Sequence, residues 1–416
     1  MRTLAVVGGG VIGLSVAWRA AESGWTVTLY DPAVGSGASW VAGGMLAPLS
    51  EGWPGEDAAL EFGAASLSRW PAFAADLHAI TGTHFFTADR TLTVALDAAD
   101  AADLRTIADW VNTRTAPPSA HPEVRAGAVT GTDTEVGERL SATSPEPEGP
   151  ALRLLDRAGV RAAEPGLGRG IRAALLSVAE PAVDNRALVT ALRAACAAAR
   201  VKFRSERVEE LADLPHDRIV LAAGAASAQL WPGLPVRPVK GEILRLRRRP
   251  SAPPVPNHVI RARVHGRPIY LVPRADGIVL GATQYEVGFD TAVTVAGVRD
   301  LITDAETVFP GLGEYEFAEA TAGSRPGSPD NLPLIGYLDD RVIAATGHGR
   351  NGILDTPVTA AAVTALLADA ELPEARAAAP QRFDQVAAVP RPAEALALSA
   401  HLERRSTADP SSPEGN

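Results

Sequence analysis

The sequence predicts an α/β fold (α+β taken whole): a Rossmann-like nucleotide domain assembled from separated stretches of chain, with an antiparallel sheet inserted into it. Three observations lead there. An apolar strand from Thr3 to Val7 runs straight into GGGVIG at Gly8 to Gly13. A second apolar run, Trp25 to Tyr30, ends in Asp31. From Val239 onward, short alternating segments joined by turns replace the earlier rhythm of helices and strands.

The first two observations make up strand, glycine turn, helix, strand and acid, the order that holds an adenine dinucleotide. Gly8 permits the tight turn, Gly10 lets backbone approach a pyrophosphate, and Gly13 lets the helix pack closely on the strand. Val11 and Ile12 open that helix, whose free N–H groups and dipole favour an anion. Asp31 would accept hydrogen bonds from ribose hydroxyls.

After Asp31 comes a loop of small residues, Gly35 to Pro48, through which backbone can approach a ligand closely. A helix is expected from about Ala58 to Thr81, a strand from Phe85 to Leu96 and a helix from Ala98 to Asn112. The stretch from Thr113 to Pro150 is rich in Pro, Gly, Thr and Ser, and its end, Ser141 to Pro150, reads as a surface loop. Leu154 to Ala163 is expected to be helical, and Asp184 to cap the helix that carries Cys196. Arg218 to Gly224 returns to a buried strand ending in glycine, a second edge of the nucleotide site. Val239 to Leu246, Arg267 to Pro273 and Gly277 to Thr283 suggest the antiparallel sheet, and Val298 to Phe309 a helix. The chain re-enters α/β territory at Glu319, with a last strand at Val342 to Thr346 and a helix from about Gly352 to Ala368. Arg405 to Asn416 is polar, rich in Pro and Ser, and expected to be disordered.

These readings divide the chain into a nucleotide domain of residues 1–84, 151–235 and 319–385, a substrate domain of 85–150 and 236–318, and a C-terminal extension of 386–416. Its 416 residues allow two domains, and 46% hydrophobic against 21% charged residues is a globular composition. A net charge of −10 argues against nucleic acid or an acidic membrane surface as the main partner. Lys202 and Lys240 are the only lysines among 39 basic residues, a bias of composition rather than a sign of function. One cysteine, Cys196, excludes an intrachain disulfide and a Cys-based zinc site, and no metal is expected. No run approaches a membrane span, and the strand at Thr3 is needed for the fold rather than for a signal peptide. The expected location is the cytoplasm.

A nicotinamide enzyme needs little from the far end of its chain. Here that end carries a second glycine-and-arginine cluster, Gly323 to Gly336 and then Thr346 to Ile353. The latter is strand, glycine turn and helix start, and such a turn would aim N–H groups at a flavin ring, steadying negative charge on it.

Taken in order, GGGVIGLS, ASWVAGGMLAP, LAAGAAS, PVKGEILRL, YLVPR, GATQYEVGFD, SRPGSPDNLPLIG and GHGRNGI resemble the D-amino-acid oxidase-like flavoproteins, from about Thr3 to Phe383. ASWVAGGMLAP with GHGRNGI resembles, within them, the glycine oxidases of thiamine-thiazole biosynthesis. The resemblance implies non-covalent FAD and oxidative deamination of glycine, with water and dioxygen consumed and glyoxylate, ammonia and hydrogen peroxide formed. It implies that dehydroglycine passes to thiazole synthase and that the protein is a homo-oligomer, the family's members often being tetramers. Arg325 matches the arginine that pairs with the substrate carboxylate, Tyr270 the tyrosine that reaches the same group, and Arg350 a second arginine near substrate and ring. A bidentate guanidinium–carboxylate pair suits a substrate this small. Ser39, Gly44, Met45 and Leu46 lie in the loop that would pass pyrophosphate and ring. Val208 would contact the adenine side, with Gly224 on the same edge. Gly349, Asn351, Gly352 and Ile353 would supply amides at the ring edge, with His348 and Arg350 on the cofactor side. His348 is given no acid–base role, because a hydride can leave the α-carbon of a neutral amine directly. The family usually has Glu where Asp31 stands and often Trp where Ala226 stands, and no cysteine is available near the last glycine turn for a flavin link. Alternatives from the same residues are a relative that acts on sarcosine or D-amino acids, a dehydrogenase that passes electrons to a quinone, and a dinucleotide-binding sensor without turnover.

Overall fold

A computed structural model of the chain describes residues 2–115 and 150–383. The expected loop ending at Pro150 and the expected disordered tail therefore fall outside the described residues, Pro150 itself excepted.

The chain begins with β1 (Thr3–Val7), α1 (Val11–Glu22), β2 (Thr26–Tyr30), the single turn α2 (Ala38–Val41) and the long α3 (Asp57–Thr81). Next come β3 (Phe86–Ala88), β4 (Thr91–Ala95) and α4 (Ala98–Thr115). After the undescribed segment follow β5 (Leu152–Asp156), α5 (Arg157–Ala163), β6 (Ala173–Ser177), β7 (Ala182–Val183), α6 (Asn185–Ala198), β8 (Lys202–Arg204), β9 (Arg218–Leu221) and α7 (Ser227–Leu230). The last third runs through β10 (Arg237–Arg247), β11 (Val259–Val264), β12 (Arg267–Arg274), β13 (Gly277–Gly281), α8 (Val295–Val308), β14 (Glu316–Gly327), β15 (Leu334–Tyr337), β16 (Val342–Thr346) and α9 (Thr356–Leu367).

A six-stranded sheet has the order β15-β16-β9-β1-β2-β8, with β1 parallel to both β2 and β9. Its central strand reads as a continuous apolar run because both of its faces are covered. On one face α1, α3, α6 and α9 bury Leu14, Trp18, Trp70, Leu77, Leu188 and Val363 in one cluster. The α6 helix forms because apolar residues recur at Leu188, Leu192, Ala195 and Cys196, all facing that core. Asp184 caps it, accepting from the Arg186 and Ala187 N–H groups at 2.9 and 3.0 Å, as the sequence predicts.

An eight-stranded sheet has the order β14-β10-β13-β12-β11-β4-β6-β5, and α8 packs against it with Leu301, Ala305 and Val308. Strand pairing differs from the expected boundaries in three places. Residues 152–177 pair through β5 and β6 with β4, so this stretch joins the eight-stranded sheet rather than the nucleotide sheet. The same holds for residues 316–327, because β14 pairs with β10 along its length. The helix expected from Leu154 divides at Asp156: residues 152–156 alternate in burial as a strand, and α5 starts only at Arg157, where Asp156 accepts from Gly159 N–H at 2.8 Å. β11 is a strand that the sequence reading passes over, although Ile260, Ala262 and Val264 alternate with Arg261 and Arg263 as a half-buried strand does. A short pairing of β3 with β7 adds a two-stranded ribbon. Among the described residues no helix is long and apolar enough to cross a membrane.

Candidate active site

The carboxyl ends of β1 and β9, the α2 loop, the last glycine turn and the facing strands of the eight-stranded sheet enclose a cleft of about 1220 Å³. Its nucleotide end is built mainly from backbone. Gly8 has φ +110, and a Cβ there would lie 2.3 Å from Ala222 O. A Cβ on Gly13 would lie 1.8 Å from Gly8 O, so α1 can close onto the turn only at glycine. Gly10 precedes the helix, and the Val11 N–H donates to Ser39 Oγ at 3.0 Å. The first turn of α1 contains no acidic residue, which leaves its positive end free to face an anion. Asp31 lines the cleft, its Oδ2 accepting from Gly9 N–H at 2.6 Å and its Oδ1 from Ala33 N–H at 2.7 Å. A carboxylate has about four acceptor positions, so capacity remains for ribose hydroxyls.

The α2 loop is held from behind. Asn185 Nδ2 donates to the Ser39 and Trp40 carbonyls at 2.9 and 2.8 Å, and Arg274 Nη2 donates to Gly43 O at 2.8 Å. Burial pulls Arg274 down to about 10, against the pull of Asp184. Neither Asn185 nor Arg274 is among the residues expected at the site. Both act on the loop's backbone, which a reading by side-chain type does not reveal.

Most of the expected residues meet at this cleft. Gly8, Gly10, Val11, Ile12, Ser39, Gly44, Met45, Val208 and Gly224 line it, as do His348, Gly349, Arg350, Asn351, Gly352 and Ile353. Gly13 stands behind the turn. Leu46 is fully buried in the helix-side core, with its N–H on Pro181 O, so its side chain is outside the cleft lining. The His348 side chain also turns away from the reacting end, its Nε2 lying 3.0 Å from Thr359 Oγ1 on α9, and burial pushes it down to about 3. It is a neutral scaffold group.

At the other end Tyr270 on β12 and Arg325 on β14 come together from strands far apart in sequence. Glycines on neighbouring strands seat both side chains. A Cβ on Gly281 would lie 2.3 Å from Tyr270 Oη, and one on Gly241 would lie 2.2 Å from Arg325 Nη1. Burial raises the Tyr270 phenol, against the opposing pull of Arg325, which lies within hydrogen-bonding reach. It therefore stays a protonated donor at neutral pH. Arg325 Nη1 donates to Thr283 O at 3.3 Å, and no carboxylate among the described residues pairs with it. A guanidinium that faces a cleft without a directly paired carboxylate is a site for an anion from outside.

Arg350, expected near substrate and ring, lines the cleft and is held there by a carboxylate. Its Nε donates to Glu51 Oε2 at 2.5 Å, and Arg261 Nη2 reaches Glu51 Oε1 at 2.9 Å. Glu51 and Arg261 are missed by the sequence reading: Glu51 follows the small-residue loop with no pattern of its own, and Arg261 sits on the unread strand β11.

A family profile of FAD dependent oxidoreductases, the DAO family, matches residues 3–366. The chain belongs to the DAO family of FAD-dependent oxidoreductases. Within that family it is similar to a glycine oxidase of Pseudomonas aeruginosa, at 31% identity over 88% of this chain and 94% of that protein. It is similar to a bifunctional ThiO/ThiG protein of Trichormus variabilis, at 31% identity over 87% of this chain and 52% of that protein. The chain thus spans about half the length of the bifunctional relatives it matches. Among solved structures it is similar to glycine oxidase from Geobacillus kaustophilus, with a TM-score of 0.77 and 25% identity, covering 92% of this chain and 99% of that one. The glycine turn, the α1 N-terminus with no acidic residue in its first turn, and Asp31 in the cleft lining fit the dinucleotide half of FAD.

Proposed function

We propose that this DAO-family chain is an FAD-dependent oxidase of small amino acids, with glycine as its substrate. The observation that carries the reading is Arg325: a guanidinium with no ion-paired carboxylate among the described residues, beside a protonated phenol, in the cleft that the glycine turn opens. The likeness to proteins named glycine oxidase supports it.

Arg325 takes the substrate carboxylate and Tyr270 adds a hydroxyl donor, so the two fix the orientation of a molecule with almost no apolar surface. When bound, FAD supplies a two-electron acceptor that dioxygen can reoxidise with release of hydrogen peroxide. No side chain is assigned a proton transfer, and His348, buried and neutral, stands on Thr359 rather than at the substrate. Balance requires glycine, dioxygen and water to give glyoxylate, ammonia and hydrogen peroxide. The imine formed first would serve thiazole synthase, and the enzyme would act in the cytoplasm as a homo-oligomer. FAD would be held without a covalent bond: a cysteinyl link is not available, because Cys196, the only thiol, is buried on α6 and pushed up to about 12 by that burial.

Anaerobic addition of glycine to the yellow protein should bleach the flavin, and acid should release all of it into the supernatant. A peroxide-release panel of glycine, sarcosine and D-alanine then ranks the substrates. Bleaching by none of the three refutes the reading.

A further inference from the structure

The substrate end of the cleft holds three guanidinium groups, those of Arg261, Arg325 and Arg350, and one carboxylate placed to offset two of them. Each oxygen of Glu51 is taken by a different arginine, Oε2 by Arg350 at 2.5 Å and Oε1 by Arg261 at 2.9 Å. The Glu51 side chain is 12% exposed. Burial works to raise its pKa, but Arg261 and Arg350, helped by Arg325, outweigh that and hold the carboxyl below its usual range. Glu51 is therefore a fixed negative charge at neutral pH. It lines the same cleft as Tyr270 and Arg325, and its charge acts on both. Arg350 also faces the carboxyl groups of Glu56 and of Asp355, the latter pushed up toward its neutral form by burial.

We propose that Glu51 sets the charge selectivity of the site: it neutralises Arg261 and Arg350, leaves Arg325 to receive a single carboxylate, and repels a second one. This deepens the reading above and rests on it, since it supposes that the cleft binds the carboxylate of a small amine. A second carboxylate brought beside Glu51 meets a like charge where water is scarce, and rejecting a wrong ligand by such a clash is as effective as improving the right one. Without the Glu51 charge, Arg261 and Arg350 each lose the one carboxylate that lies within ion-pair distance of them among the described residues, next to Arg325. That is a ready site for a dicarboxylate. Glu51 touches no reacting atom, so it acts on which ligand enters and through the arginines it holds.

The test uses the full-length, FAD-loaded protein and reads dissociation constants from perturbation of the flavin absorbance, with acetate as the monocarboxylate probe and malonate and succinate as dicarboxylates. Wild type should bind acetate more tightly than either dicarboxylate. Glu51→Gln keeps the side chain's shape and one acceptor while removing its charge, and should raise the dicarboxylate-to-acetate affinity ratio by about ten-fold or more. Adding Arg350→Gln to that variant should bring the ratio back to within about three-fold of wild type, because the second carboxylate loses its partner. An unchanged ratio in Glu51→Gln overturns the proposal. So does a wild type that binds malonate or succinate as tightly as acetate, a result that needs no variant to fold. If no carboxylate perturbs the flavin, both this proposal and the substrate reading fail. A protein that follows the acetate rule but never oxidises glycine refutes the substrate alone, and one that oxidises glycine with an unchanged ratio refutes Glu51 alone.

Discussion

The two ends of the cleft are built by different means. The nucleotide end is backbone and short-range: Gly8 to Gly13 follow one another, and Asp31 reaches back 22 positions to the Gly9 N–H. The substrate end is side chain and long-range, with Glu51, Arg261, Tyr270, Arg325 and Arg350 brought together from five separate stretches of the chain. A backbone cradle depends on what is absent, a Cβ in the wrong place, and so tolerates almost no substitution. A side-chain constellation depends on what is present, and its members can be removed one at a time at graded cost.

The sharpest way to break that contrast is at Gly13. Gly13→Val places branched carbon where a Cβ alone would already lie 1.8 Å from Gly8 O, and the contact is with backbone that cannot swing aside. The expected outcome is complete loss of FAD-loaded protein, measured as flavin absorbance per polypeptide after purification. A yellow, active Gly13→Val enzyme would mean that α1 does not close on the turn.

Arg325 comes next. On the proposed reading, Arg325→Ala should leave the substrate carboxylate desolvated without a partner, at a cost of about 2–5 kcal/mol, or a loss of roughly 30- to several-thousand-fold in kcat/KM for glycine. Arg325→Lys should recover only part, since an ammonium lacks the two-pronged geometry. FAD content should match wild type in both. Wild-type kcat/KM in Arg325→Ala would move the clamp elsewhere. Arg350 is the weaker alternative, because Glu51 already occupies it.

That difference in construction also explains what could be read before any coordinates. Four strands of the six-stranded sheet were legible because glycine turns and apolar strands are local signals, and β1, α1, β2, β9 and β16 fall where the sequence puts them, whereas β8 and β15 were not read. Strand β5 was not: Leu152 to Asp156 has a helix-like composition, and only pairing with β6 makes it extended. At the site, Arg325 and Tyr270 were reached through resemblance, but the partner of Arg350 was not, since nothing in the chain from Glu51 to Arg350 announces a contact 299 positions apart. Which arginine is free and which is paired is a property of the folded molecule.

A smaller effect is expected at Asp31. Asp31→Ala removes acceptors for ribose hydroxyls, about 1–3 kcal/mol, so FAD should bind roughly ten-fold more weakly or worse. Turnover of FAD-saturated enzyme should stay close to wild type, because the acid is at the dinucleotide end. An unchanged FAD dissociation constant would show that Asp31 serves only the Gly9 and Ala33 N–H groups it bonds in this structure.

The smallest effect tests a residue that lies where the two ends meet. His348 belongs in sequence to the last glycine turn, yet its ring is buried against Thr359 and held down to about 3 by that burial, with no charged group opposing it. The folded state therefore favours the neutral ring, while the unfolded chain takes up a proton near its ordinary value of 6.5. With the folded pKa depressed, the stability contributed is complete above 6.5 and is lost as pH falls from there toward 3. The loss runs at up to about 1.4 kcal/mol per pH unit. Urea midpoints measured between pH 7.5 and 5 should fall for wild type, and His348→Gln, which keeps a polar group near Thr359 but cannot take up the proton, should show a shallower decline whatever its midpoint at pH 7.5. Parallel slopes in the two proteins would mean that the ring is reached by water and protonates in the folded state, returning His348 to the open end of the cleft as a candidate proton acceptor.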